Sequence, residues 1–137
     1  MKIAICASMV FSEQMLSVQK QLVHLGHDAT VSIFTTNYVG KNETEREAAI
    51  LFDKNNRDGI KEFWEQIKTS DAILVLNYDR KGVKNYIGGN TLMEIGFAHV
   101  LNKKIYLLNS IPDITYYKSE IEATKPTILN GDLTKID

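Results

Sequence analysis

The chain has 137 residues, of which 44% are hydrophobic and 24% charged, and its formal net charge is −1. That length fits one domain, residues 1–137, able to bury roughly two-thirds of its unfolded surface. So small a charge gives no field to draw in nucleic acid or an acidic membrane, and no apolar run approaches the ~20 residues needed to span a bilayer.

The opening residues M-K-I-A-I-C-A-S are too short and too strand-like for a signal peptide, so a cytoplasmic protein is expected. Lys2 to Ala7 is a continuous apolar run, as in a central parallel strand buried on both faces. Its Cys6, the lone cysteine, cannot form an internal disulfide and reads as a small buried hydrophobe. A helix follows, with Ser12 as the expected N-cap and Glu13 in its first turn. Met15, Val18, Leu22 and Leu25 recur at helical spacing, and Gly26 is a natural stop. Ala29 to Phe34 has the β-branched character of a second strand.

Thr35 to Lys41 reads as a loop. Asn42 to Asn56 is charged and helix-prone. Arg57 to Lys68 sets Ile60, Phe63, Trp64 and Ile67 on one face of a second amphipathic helix, with a break expected at Asn55-Asn56 or Gly59. Asp71 to Tyr78 and Lys104 to Asn109 are the third and fourth strands. Between them lies a helix over Asn90 to Asn102, apolar on nearly every side. After Pro112 a short helix and an edge strand, Pro126 to Leu129, complete the chain, which shows no repeat and no low-complexity linker.

Alternating strands and helices imply a doubly wound, flavodoxin-like α/β domain. Its parallel sheet would run in the order 2-1-3-4-5 with helices on both faces. The order reverses between the first and third strands, so the loops after Ala7 and Tyr78 meet at one crevice.

The residues that could carry chemistry gather there. Glu94 is expected in the first turn of the apolar helix, where the helix dipole favours its anion while apolar neighbours push its pKa up. Gly88-Gly89-Asn90 allows close backbone approach and offers free N–H groups, though it matches neither a Walker nor a G-x-G-x-x-G pattern. Asn77 and Asp79 end the third strand and could hydrogen-bond a ribose or a base; Asp79 could equally be a turn residue. Arg80, Lys81 and Lys84 make the following loop basic. Ser8 lacks a nucleophile-elbow context and reads as a hydroxyl or backbone contact. With one cysteine and no H-x-x-x-H or C-x-x-C, neither a metal site nor a cofactor is expected. The all-round apolar helix calls for cover on two sides, one by the sheet and one by a second copy of the chain, in a homodimer or higher homo-oligomer.

Three stretches together, D-A-I-L-V-L-N at 71–77, G-G-N-T-L-M-E-I-G-F-A at 88–98 and K-K-I-Y-L-L at 103–108, resemble the nucleoside 2-deoxyribosyltransferase superfamily. The short one-domain members, which include deoxynucleotide N-glycosidases, are the most similar. The resemblance implies that Glu94 attacks the anomeric carbon of a nucleoside or nucleotide, with transfer to an acceptor base or to water. It further implies sugar and phosphate contacts from Ala7-Ser8-Met9 and Gly88-Gly89-Asn90. Two positions depart from the family pattern. Where a second acid is usual on the helix before the third strand, this chain has Phe63, with Glu62, Glu65 and Asp58 as neighbours. Where transferases tend to have an aromatic hydroxyl in the first strand, Ala4 stands. A non-catalytic nucleotide-binding module and a structural α/β oligomer are the alternatives.

Overall fold

The computed structural model describes all of residues 1–137. Five strands, β1 (Lys2–Cys6), β2 (Asp28–Thr30), β3 (Ala72–Val75), β4 (Lys104–Leu107) and β5 (Thr127–Ile128), form one sheet in the order β2-β1-β3-β4-β5. Every pairing in the sheet is parallel. Five helices surround it: α1 (Ser12–His24), α2 (Glu43–Asn56), α3 (Gly59–Lys68), α4 (Gly89–Val100) and α5 (Lys118–Ala123). The doubly wound architecture expected from the alternation of elements is the one observed.

The continuous apolar runs make sense once both sheet faces are seen to be covered. Alternate residues of β1 and β3 split between them. Ile3, Ile5 and Leu74 pack with Phe11, Met15, Val18 and Leu22 of the α1 side and with Leu129, Leu133 and Ile136 of the C-terminal segment. Ala4, Cys6, Ile73 and Val75 pack with Phe63 and Ile67 of α3, Ile95 and Ala98 of α4, and Ile121 of α5. No helix is long and apolar enough to cross a membrane.

Several local readings are corrected. Ser12 does not cap α1: it is fully buried, and its hydroxyl donates back to the Met9 carbonyl at the end of a 3₁₀ turn over Met9–Phe11. Leu25 ends up 42% exposed rather than in the core. The second strand stops at Thr30, short of Phe34. There the Ser32 hydroxyl accepts from the Phe34 N–H, a local bond that competes with the sheet ladder and turns the chain. A 3₁₀ turn over Thr35–Tyr38 follows where a plain loop was expected.

α2 is the least anchored helix, with no fully buried residue. Asn42 starts it with a reciprocal capping box: its side chain accepts from the Glu45 N–H, and the Glu45 carboxylate accepts from the Asn42 N–H. Polar ties hold it down. Arg46 pairs with Glu13 of α1 at 2.6 Å and donates to the Val10 carbonyl, while Glu47 pairs with Lys81 beyond β3 at 2.9 Å. Asp58 caps the next helix by accepting from the Lys61 N–H.

Candidate active site

The cleft at the switch point holds about 570 Å³, within the range of small-molecule sites. Its inner end is made by the last residues of β1 and by α4, including Cys6, Ala7, Met9, Asn90 and Glu94. Its outer end is made by Phe34, Tyr38, Asp53 and Arg57. A second hollow of about 280 Å³ adjoins it and shares Ala7, Met9 and Asn90. Ser8, Gly88, Gly89 and Arg80 line that smaller hollow.

Glu94 does not occupy the first turn of α4. The helix begins at Gly89, so Glu94 is in the second turn, beyond the free N–H groups. Deprived of those donors, its carboxyl is pushed up from the ordinary 4.5 to about 8. Burial is the larger cause and the Glu62 carboxylate the smaller, and no hydrogen-bond donor offsets them. Cys6 beneath it is pushed up in turn, by burial first and by the Glu94 charge second.

Glu62 is the acidic neighbour that pattern matching left one residue out of place. It extends from α3, where the Gln66 amide donates to Oε1, while Oε2 is buried with no partner. α3 and α4 pack side by side, their contact marked by the edge-to-face pair of Trp64 and Phe97 with ring centres 5.1 Å apart. A carboxylate on α3 thereby acts on Glu94 although Phe63 itself is core.

The glycine turn is built for close approach. A Cβ on Gly88 would lie 2.9 Å from the Tyr86 hydroxyl oxygen. Nothing stands within 4 Å of a Cβ on Gly89, so its backbone faces open space. Ala7, Ser8, Met9, Gly88, Gly89, Asn90 and Glu94 are therefore brought together around the two hollows. Asn77 and Asp79 are not among the lining residues. Asn77 is fully buried, donating to the Asn109 and Ser110 carbonyls and accepting from the Asn109 N–H. Asp79 accepts from the Asn85 N–H and holds the loop that carries Arg80. Both shape the rim of the crevice through the backbone.

The outer end of the cleft escaped the sequence reading altogether. The Tyr38 hydroxyl donates to Asp53 Oδ2 at 2.5 Å, and Arg57 Nε lies 3.7 Å from Asp53 Oδ1. The Arg57 guanidinium also sits 5.2 Å from the centre of the Phe34 ring. Burial, then the Asp53 carboxylate, raises the Tyr38 phenol well above its usual range, so it remains a donor. The four residues come from an expected strand, an expected loop and the two expected helices on either side of the Asn56–Arg57 junction. Only the folded chain joins them.

No family model matches this sequence, and no curated protein sequence does. Among solved structures, the chain is similar to the 2-deoxyribosyltransferase of Bacillus psychrosaccharolyticus. That match has 21% identity, covers 79% of this chain and 72% of that one, and has a TM-score of 0.49. It is also similar to the CMP N-glycosidase BcmB of Clostridium botulinum, at 12% identity over 93% of this chain and 85% of that one, again with a TM-score of 0.49.

Proposed function

We propose that this chain cleaves or transfers the N-glycosidic bond of a (2-deoxy)nucleoside or its 5′-monophosphate, with Glu94 as nucleophile. The observation that carries this reading is a carboxyl at the crevice of the switch point, desolvated and facing a second carboxylate, at the inner wall of a nucleotide-sized cleft. In the first step a Glu94 oxygen bonds to the anomeric carbon as the carbon–nitrogen bond breaks. The base departs with the electron pair and takes up a proton from solvent water. In the second step water or an acceptor base displaces Glu94, losing its proton to solvent and restoring the carboxylate. A desolvated carboxylate is a stronger base and nucleophile than one in water, and an anion there offsets the positive charge that develops on the sugar. Ala7, Ser8, Met9 and Asn90 bound the sugar, and Gly88 and Gly89, with Arg80 opposite, meet the 5′ end. Asn77 and Asp79 support that loop.

The raised pKa also favours a second reading. At neutral pH most Glu94 carboxyls carry a proton, which suits a hydrogen bond to a bound sugar hydroxyl in a non-catalytic nucleotide-binding module. One assay separates the two: deoxynucleosides and their 5′-monophosphates are incubated with the protein and base release is followed by chromatography. Release that is lost in Glu94→Gln supports catalysis. Binding without release supports the module, and neither outcome in any compound refutes both.

We propose in addition that the outer face of α4 pairs with a second copy in a homo-oligomer. Val100 is 71% exposed there, and Gly96 one turn before it has open space where a Cβ would stand. Light scattering should give a multiple of the 15.5 kDa chain mass, lowered by Val100→Glu; a monomer at high concentration refutes the pairing.

A further inference from the structure

Ile50 and Lys54 line both hollows, so α2 spans the seam between them, with Asp53 on the larger hollow and Glu47 on the smaller. Of the five helices it alone has no buried residue. Leu51 and Phe52, its bulkiest apolar side chains beside Ile50, are each 60% exposed. A helix on a sheet ordinarily keeps its place by burying an apolar stripe, and here that anchor is missing. Side-chain ties replace it. One Glu13 oxygen accepts from Arg46 at 2.6 Å and from the Gly40 N–H at 3.3 Å, and Arg46 also donates to the Val10 carbonyl. Glu47 meets Lys81 at 2.9 Å and Arg80 at 3.7 Å. Exposed pairs of this kind exchange for hydration at little cost.

We infer that α2 is a lid. It swings between Gly40 and Arg57 to open both hollows, and the Arg46–Glu13 and Glu47–Lys81 pairs latch it shut. Both ends suit a hinge. Gly40, just before the helix, has φ +77° and open space where a Cβ would stand, and Arg57, just after it, is extended at φ −138°. The capping box lets the helix move as a unit, because Asn42 and Glu45 satisfy N–H groups at its start from within the moving piece. Opening needs no apolar core to be broken, which places α2 at the low-stability end of the fold. The lid governs access to the cleft and stands whatever compound occupies it.

Relaxation-dispersion NMR on the free, nitrogen-15-labelled chain reads the motion, since lid opening falls in the microsecond-to-millisecond range. Amides of residues 43–56 should exchange together at one rate. Ala7, Met9 and Asn90, which line both hollows with Ile50 and Lys54, should exchange with them, while the buried amides of β3 stay silent. Arg46→Met should raise the open population by about 5-fold or more, as expected for losing a hydrogen bond to a charged group. Lys81→Met, on an exposed loop, should raise it by about 2- to 5-fold and serves where Arg46→Met does not fold. Added salt should act in the same direction by screening both pairs. No dispersion in the wild type or in either variant overturns the lid. Exchange in α2 that leaves Ala7, Met9 and Asn90 unaffected, or that neither variant increases, overturns it as well.

Discussion

Replacing Glu94 by glutamine should make the protein more stable at high pH and leave it nearly unchanged at low pH. In the unfolded chain this carboxyl titrates near 4.5, whereas in the fold it holds its proton up to about 8. Between those values the folded state binds more protons than the unfolded state, so the contribution of Glu94 to stability falls as pH rises through the window. Below 4.5 the group is neutral in both states and costs nothing; above 8 the whole penalty is present. At about 1.4 kcal/mol per pH unit, a gap of some 3.5 units sets an upper limit of about 5 kcal/mol. Cleft water beside Glu94 lowers this, and a penalty of roughly 2–3 kcal/mol is expected after relaxation. Urea unfolding followed by the fluorescence of Trp64, the single tryptophan, at pH 5, 7 and 9 measures it. The Gln variant should exceed wild type by no more than about 1 kcal/mol at pH 5 and by about 2–3 kcal/mol at pH 9. Parallel pH profiles, or a variant that is less stable at pH 9, would refute the account of a desolvated carboxyl.

Three further outcomes follow from the same geometry. Glu62→Gln removes the smaller cause of the Glu94 shift, so the carbon-13 titration of the Glu94 carboxyl should move down by a fraction of a pH unit to about one unit; an unmoved titration would show that the two carboxylates do not interact. Asn42→Ala breaks the capping box of α2 and should cost about 1 kcal/mol, read as a lower Tm. Gly88→Ala brings a methyl to 2.9 Å from the Tyr86 hydroxyl and should weaken nucleotide binding through displacement of the turn. Combining it with Tyr86→Ala should restore binding, and a loss undiminished in the double variant would contradict the clash.

The sheet was legible because parallel strands buried on both faces need unbroken apolar runs, and K-I-A-I-C-A and D-A-I-L-V-L supply them with little ambiguity. Strand order followed from the alternation of elements. What misled was competition by local hydrogen bonds: Ser32 ended β2 early, and Ser12 turned back to Met9 instead of capping α1. The helix bearing Glu94 began one residue sooner than expected, at Gly89, and its carboxylate fell just past the region where the helix start would stabilise it. That small displacement exchanges a dipole-stabilised anion for a proton-holding acid. Glu62 was visible as a neighbour of the expected acidic position, but its side chain's influence on Glu94 depends on the packing of α3 against α4. Asp53, Arg57, Tyr38 and Phe34 carried no local signal, since an ion pair at helical spacing reads as a solvated surface.

The two ends of the cleft belong to different kinds of structure. The inner end hangs on β1 and α4, which are built into the buried core, and the Asp53 and Lys54 side of the outer end hangs on a helix with no buried residue of its own. Changes in α2 therefore have few packing constraints to satisfy, although its Ile50 and Lys54 line the same cleft as Glu94. A lineage of such chains could exchange the compounds it accepts by drifting along one surface helix, while the reacting group stays anchored in a core that tolerates little.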